Sequence, residues 1–282
     1  MMKLPNLSSM VQMGRLRYIQ AAFEPPALRN PDVLAKKLLP LRERLMGLIQ
    51  GTIRLSRLRA NPLYYYLLAR TRYYDQVFVK AIERDVSCII NIGCGSDTRA
   101  HRFQSELAAK NVMAVEMDQA QAIAAKREIA SRQWPKDRVS YAPIDLNASQ
   151  WPELARILRD TAGTRVQVIM EGVSPYVDQE AFRQFLAFVS DALAPGSQIA
   201  YDFKIKGVDD QFGSSANTLQ PFRLAADRAL LEQYHAAVGL HLLAFEPSSA
   251  LAARLVPGIP QTATAPFTKD ALVQLEVDRA RD

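Results

Sequence analysis

Short apolar runs alternate with segments of helical spacing from about residue 60 onward, and this alternation limits the folds open to the chain. Continuous apolar runs are typical of strands buried on both faces, as in a parallel sheet. The segment Asp178–Leu193 instead places apolar residues at the i, i+3, i+4, i+7 spacing of one helix face, and its Asp can cap the helix. We therefore predict an α/β fold with a doubly wound, mostly parallel sheet of seven strands. The strand candidates are Val86–Ile92, Val112–Met117, Val139–Ile144, Val166–Met170, Ile199–Phe203, Leu240–Phe245 and Ala271–Val277.

The composition excludes several other classes of protein. The 282 residues include two cysteines, Cys88 and Cys94, so a disulfide scaffold and a structural zinc cluster are excluded. No run of about 18 apolar residues occurs, and the first residues lack the apolar core of a signal peptide. We expect a cytoplasmic protein with no metal site and no membrane partner.

Positive charge is concentrated in residues 1–60. This segment holds eleven Lys or Arg and three acids, a net charge of +8, whereas the other residues carry 24 − 26 = −2. The basic residues alternate with apolar ones, which favours amphipathic helices packed on a domain over a tail lying on DNA. We predict a basic helical segment over 1–60 and a second domain over 61–282, with a polar insertion around 204–235. The segment is suited to attract an anionic small molecule or a nucleic-acid backbone, or it is a solvated surface.

A glycine pair follows the first predicted strand and indicates a nucleoside site. Gly93 and Gly95 allow a tight turn and a close approach of the backbone to a ligand. Asp118 lies 23 positions after Gly95, at the end of the second predicted strand. An acid at this position hydrogen-bonds the ribose hydroxyls of a bound nucleoside. A dinucleotide site would have a third glycine where Thr98 stands, and the preceding Asp97 would repel a pyrophosphate. S-adenosylmethionine carries no phosphate, so the loop favours it over NAD.

Two further acids follow the next predicted strands. Asp145 comes directly after the third strand and is suited to reach an adenine amino group, while Leu146 packs on the ring. Glu171 follows the fourth strand, where we expect the methionine part of the ligand. Open α/β sheets bind ligands at the carboxyl ends of their strands, so we expect these acids to share one site with Asp118.

Together these motifs resemble the leucine carboxyl methyltransferase family, and more closely its bacterial stand-alone members that methylate small metabolites such as polyketides. The resemblance implies a Rossmann-like methyltransferase sheet, S-adenosylmethionine as cofactor, and a helical lid, here residues 1–60, over the active-site mouth. It also implies that Arg70 pairs with the cofactor carboxylate, that Gly93 and Gly95 form the cofactor loop, and that Tyr176 closes the pocket. The matching motifs are Ala69–Asp75, Asn91–Arg102, Val115–Gln119, Asp145 with Leu146, and Glu171–Tyr176.

The nature of the methyl acceptor depends on whether a general base is present. A carboxylate acceptor is already ionised at neutral pH, whereas a hydroxyl acceptor benefits from a base, usually histidine. The chain has three histidines, His101, His235 and His241, and His235 is the best placed of them. No residue is assigned as catalytic, and Tyr176 and His235 are the two candidates. We therefore predict methyl esterification of a small, anionic carboxylic acid, with a phenolic or enolic hydroxyl as the alternative.

Two other classes of function are weighed against methyl transfer. A nucleic-acid-binding module would use the basic segment and stack bases on the tyrosines of Tyr64–Tyr66, but their apolar neighbours favour helix packing. A nicotinamide dehydrogenase is disfavoured by Asp97 and Thr98 in the glycine loop. We expect no nucleic-acid partner, and the sequence does not indicate an oligomeric state.

Overall fold

All seven predicted runs form strands of one sheet in the computed structural model, which describes residues 5–208, 220–259 and 266–278. A two-residue strand, absent from the prediction, joins them as β6. The strands are β1 (Cys88–Ile92), β2 (Met113–Asp118), β3 (Val139–Pro143), β4 (Val166–Met170), β5 (Gln198–Ile205), β6 (Arg223–Leu224), β7 (Leu240–Pro247) and β8 (Asp270–Val277). The helices are α1 (Pro5–Phe23), α2 (Leu41–Ile53), α3 (Leu55–Arg59), α4 (Pro62–Glu83), α5 (Arg99–Arg102), α6 (Gln104–Ala109), α7 (Ala120–Gln133), α8 (Pro152–Asp160), α9 (Gln179–Ala192), α10 (Arg228–Ala236) and α11 (Ser248–Leu255).

The order of the strands places a ligand crevice at β1. The sheet runs β3-β2-β1-β4-β5-β8-β7, and β6 pairs with the end of β5. Among the described strands, only β8 runs against the others, between β5 and β7. The chain leaves β1 toward β2 on one side and later returns to β4 on the other side, so the strand order reverses at β1. Ligands of open α/β sheets bind at the carboxyl end of such a strand.

Both faces of the sheet are covered, as the continuous apolar runs predict. In β1, Ile90 and Ile92 pack into the core on one face and Ile89 packs into the core on the other. Helix α9 contributes Phe182 and Phe185 to the first core, and Asp178 caps it by accepting a hydrogen bond from the Glu180 N–H. The predicted α/β architecture is therefore confirmed, with the short β6 as its one addition among the described residues.

The amino-terminal helices are packed onto the sheet domain through buried polar contacts. The Gln20 amide of α1 donates to the Tyr64 carbonyl of α4 over 2.6 Å, and the buried Glu24 carboxylate accepts from the Tyr64 hydroxyl and from Arg59. The tyrosines of α4 that the sequence left open as base-stacking groups are buried, so helix packing is the role the structure gives them.

Residues 209–219 of the predicted 204–235 insertion lie outside the described residues. The rest of that range contains the end of β5, the short β6, most of α10 and the loops that join them. In the described stretches, no helix combines the length and the apolar character needed to cross a bilayer. The cytoplasmic location expected from the sequence stays a prediction.

Candidate functional site

The loop after β1 has a backbone that requires glycine. Gly93 has a φ of +66° and Gly95 a φ of +42°, values in the left-handed region that side chains disfavour. A Cβ built on Gly93 would lie 2.3 Å from Cγ2 of Val173, which follows β4. A Cβ on Gly95 would meet Cγ of Met10 in α1 at 3.0 Å. The loop is thus pressed between the segment after β4 and the amino-terminal helix.

Asp118 joins the end of β2 to this glycine loop. Its Oδ2 accepts a hydrogen bond of 2.7 Å from the Gly95 N–H, and its Oδ1 accepts one of 2.7 Å from the Gln119 N–H. The carboxylate therefore lies at the β1–β2 crevice, in the position that the spacing of 23 residues predicts. It lines the same cavity as the loop.

One cavity of about 530 Å³ brings the predicted cofactor residues together. They come from α4, the glycine loop and the ends of β2, β3 and β4, which are distant in the sequence. Tyr176 also lines this cavity, whereas His235 does not. The predicted residues on its wall are Arg70, Gly93, Gly95, Asp118, Asp145, Leu146, Glu171 and Tyr176.

Arg70 reaches from α4 to the ends of β4 and β5. Its Nε donates to Glu171 Oε1 over 3.1 Å, and its Nη1 donates to Asp202 Oδ2 over 3.3 Å. Asp202 Oδ1 in turn accepts from the Gly172 N–H at 2.7 Å. Burial raises the pKa of Asp202, and Arg70 acts against that rise. Asp202 is not among the site residues predicted from the sequence, although a carboxylate within the apolar run of β5 is a signal for it.

A fully buried arginine underlies the cavity. Arg99 donates to Asp97 over 2.5 Å, to Glu171 over 2.7 Å and to Asp75 over 2.8 Å. Arg102 pairs with the same Asp75 through two nitrogens, at 2.6 and 2.7 Å. These residues fall within the recognised motifs, but their mutual contacts could not be derived from spacing.

The arginines of this cluster favour the ionised forms of Glu171 and Asp97. Burial acts to raise the pKa of Glu171, but Arg99 and Arg70 lower it by more, so its net shift is downward. The pKa of Asp97 is lowered in the same way, chiefly by Arg99 against the effect of burial. Asp97 is paired with Arg99, so its negative charge is balanced. It would therefore not repel a pyrophosphate, contrary to the expectation drawn from the sequence. The stronger structural argument is Thr98, which is fully buried and donates to Asp32.

Helix α1 forms one wall of the cavity. The buried Arg17 donates to the Ser96 hydroxyl over 2.7 Å, and Ser96 donates to the Met10 carbonyl over 3.2 Å. The second terminal nitrogen of Arg17 lies 3.5 Å from Asp32, and its Nε is buried with no hydrogen-bond partner in the described structure. The charge of Arg17 is therefore balanced in part by Asp32, an acid of the same segment.

The three histidines lie away from the cavity wall. His235 is fully buried, its Nε2 is 2.7 Å from the Tyr201 hydroxyl and its Nδ1 is 2.6 Å from the Leu231 carbonyl. Burial lowers its pKa to about 4. His101 lies between Asp137 and Tyr141, and His241 is exposed on β7. The structure therefore does not bring the base candidate His235 to the site.

Comparison with known proteins identifies the family. A sequence profile described as leucine carboxyl methyltransferase matches residues 16–190. A protein of Mycobacterium marinum, named as a candidate S-adenosyl-L-methionine-dependent methyltransferase, is 27% identical over 198 residues, 67% of this chain and 65% of the relative. One of Mycobacteroides abscessus with the same name is 25% identical over 145 residues, 51% of this chain and 45% of the relative. The matched regions thus span less than two thirds of these relatives.

Solved structures with little sequence identity share the fold. A DUF574 family protein from Streptomyces avermitilis has a TM-score of 0.58 at 15% identity, over 93% of this chain and 96% of that protein. A candidate methyltransferase from Thermobifida fusca has a TM-score of 0.57 at 10% identity, over 98% of each chain. The fold is therefore the Rossmann-like methyltransferase fold. Since the family profile covers more than half of its residues, the chain belongs to the leucine carboxyl methyltransferase family.

Proposed function

We propose that the protein is an S-adenosylmethionine-dependent O-methyltransferase that methyl-esterifies a carboxylate of a small metabolite, such as a polyketide or another natural product. The observation that carries this proposal is the single cavity in which the glycine loop, Asp118, Asp145, Glu171 and Arg70 meet. Each of these groups suits a different part of S-adenosylmethionine. The names of the related mycobacterial proteins support the same cofactor.

The residues of the cavity fit this cofactor and do not suit a dinucleotide. Asp118 would bind the ribose hydroxyls, and Asp145 with Leu146 would bind the adenine. Arg70 would pair with the methionine carboxylate, and Glu171 would accept from the methionine ammonium. A pyrophosphate would need a third glycine at the loop, where the fully buried Thr98 hydroxyl is instead bonded to Asp32.

A carboxylate acceptor agrees with the groups that line the cavity. When bound, S-adenosylmethionine supplies a methyl on a cationic sulfur; an O–C bond forms, the S–C bond breaks, and a neutral ester and a neutral thioether result with no proton transferred. The protein then has to align the acceptor and exclude water. Arg17, Lys204 and Lys269 are the wall cations that an anionic acceptor would contact, and Lys204 is itself paired with Asp270 over 2.6 Å. Tyr176 would position the acceptor as an aromatic wall.

Replacing Asp118 tests the cofactor assignment. We expect Asp118→Ala to weaken S-adenosylmethionine binding by about 1.5–3 kcal/mol, since a charged hydrogen bond to the ribose is lost. Titration calorimetry with S-adenosylmethionine measures this change, and NADH serves as the ligand that should not bind. Asp145→Ala is the matched variant at the adenine end and should also weaken binding. If Asp118→Ala binds with wild-type affinity, the ribose assignment is wrong.

Replacing Arg17 tests the lid. Because Gln20 of α1 and Glu24, which directly follows the helix, are buried against α4, deleting the whole segment would open the core, and a single substitution is the cleaner experiment. We expect Arg17→Gln to lower kcat by about tenfold or more while the Kd of S-adenosylmethionine changes little, because closure and acceptor alignment are lost. Steady-state kinetics and calorimetry give the two quantities.

The control for this experiment is Arg15→Gln. Arg15 lies on the same helix, pairs with Glu43 and is not among the residues that line the cavity. It should retain turnover. If Arg17→Gln lowers only the melting temperature and remains fully active at low temperature, α1 is a stabilising helix and not a lid.

A further inference from the structure

Helix α2 presents large apolar side chains to solvent. Five of them are between 46% and 75% exposed, and with Met46 they make up six of the ten large apolar side chains found exposed in the described residues. They follow the spacing i, i+4, i+7, i+8, i+12, which places them along one side of the helix. We name this side the α2 outer face; it consists of Leu41, Leu45, Leu48, Ile49 and Ile53.

The packing of α2 against α1 keeps the α2 outer face exposed to solvent. The helix contacts α1 through Gly47 and Gly51, which are both buried. A Cβ on Gly47 would lie 2.8 Å from the ring of Tyr18, and one on Gly51 would lie 2.2 Å from the ring of Phe23. A surface helix usually turns its large apolar residues toward the core. Here the glycine side faces inward, so the helix cannot rotate to bury the α2 outer face.

Basic residues surround the α2 outer face. Arg42 on the helix, Arg54 directly after it and Arg57 on α3 are all exposed. The one acid of the helix, Glu43, is paired with Arg15 of α1. A second copy of the chain docked on this face would bring basic groups against basic groups, because a symmetric interface pairs the same patch with itself. An anionic surface is the complementary partner.

We propose that the α2 outer face inserts into the headgroup region of a bilayer that contains anionic lipids, with the flanking arginines on the lipid phosphates. Amphipathic helices with an apolar side and basic flanks bind membranes in this way, without spanning them. This differs from the expectation, drawn from the sequence, that the chain has no membrane partner. The inference does not depend on the reaction catalysed in the cavity.

Vesicle flotation of the full chain tests this proposal. We expect the protein to float with vesicles of phosphatidylcholine plus phosphatidylglycerol, and less with phosphatidylcholine alone or at high salt. The double variant Leu45→Gln with Ile49→Gln should lose affinity for the mixed vesicles by about tenfold or more. The matched control is Leu230→Gln on α10, since Leu230 is 54% exposed and lies outside the α2 outer face. The double variant Arg42→Gln with Arg57→Gln should weaken binding to the mixed vesicles and leave binding to phosphatidylcholine alone unchanged.

Three results would overturn the proposal. The first is that the wild type does not float with anionic vesicles. The second is that the double variant floats as the wild type does. The third is a lipid-free dimer, seen by light scattering, that the double variant dissociates, because the face would then join two copies. Unchanged S-adenosylmethionine binding by the double variant shows that it is folded.

Discussion

Gly93→Ala should cause the largest loss of cofactor binding among single substitutions in the glycine loop. The new Cβ would lie 2.3 Å from Cγ2 of Val173, and the φ of +66° is itself unfavourable for alanine. Relieving the overlap requires Val173 to change its rotamer or the loop to move away from the segment after β4. We expect the free energy of unfolding to fall by about 2–4 kcal/mol, from the backbone and overpacking costs together. The affinity for S-adenosylmethionine should fall by about tenfold or more, as calorimetry would show.

Gly163→Ala is the matched control for the backbone cost. Gly163 has a φ of +76°, but nothing lies within 4 Å of its Cβ position. It should lose about 1–2 kcal/mol of stability and keep its cofactor affinity. Gly95→Ala should fall between the two, because its Cβ meets the flexible side chain of Met10. If Gly93→Ala binds the cofactor normally, the loop after β1 is not the cofactor loop.

Arg99→Met should cause the largest loss of stability. It removes one cation from three carboxylates. Glu171 keeps Arg70 and Asp75 keeps Arg102, whereas the buried Asp97 loses its one ion pair among the described residues. Removing one partner of a buried ion pair costs about 3–5 kcal/mol. We expect a loss of this size in the free energy of unfolding of Arg99→Met, and urea unfolding would measure it. The matched control is Arg132→Met, whose exposed pair with Glu128 should contribute less than about 1 kcal/mol.

The pH dependence of this loss identifies its cause. In the wild type, the pKa values of Asp97 and Glu171 are lowered on folding, so these groups stabilise the protein above their unfolded pKa values, and the contribution is lost as the pH falls. Without Arg99, we expect both pKa values to rise relative to the wild type, that of Asp97 most, and protonation then relieves the penalty. The difference in stability between Arg99→Met and the wild type should therefore be smaller at pH 5 than at pH 7.5, because pH 5 is closer to the ordinary carboxylate pKa of about 4. A constant difference would point to lost packing instead.

The sequence predicts the elements more fully than the contacts of the site. β4 spans Val166–Met170 as predicted, and Asp178 caps α9, because local apolar spacing and a capping side chain determine both. β5 extends to Ile205, two residues beyond the prediction, because Lys204 pairs with Asp270 of the antiparallel β8 and Ile205 pairs with Leu224 of β6. The pairing with β8 joins segments far apart in the chain, and apolar spacing does not encode it.

The roles of Arg99, Asp202 and His235 show the same limit. Each belongs to a local pattern, but its role depends on what the fold places beside it. Arg99 meets Asp75 across 24 residues, and Asp202 meets Arg70 across 132. The sequence indicates His235 as the best candidate for a general base, yet its side chain bonds to Tyr201 of β5 and does not line the cavity. The cofactor residues were easier to predict, because strand ends in an α/β sheet share one edge.

Incubation of the protein with methyl-labelled S-adenosylmethionine and a panel of carboxylic-acid and phenolic metabolites tests the central claim most directly. Methyl esters are hydrolysed by mild base, whereas methyl ethers are not, so the stability of the label identifies the acceptor group. The proposed function predicts label on a carboxylic acid, lost in base, with transfer that His235→Ala leaves intact because His235 does not line the cavity. Base-stable label on a phenol, or transfer that His235→Ala abolishes in a folded protein, would contradict carboxyl methylation.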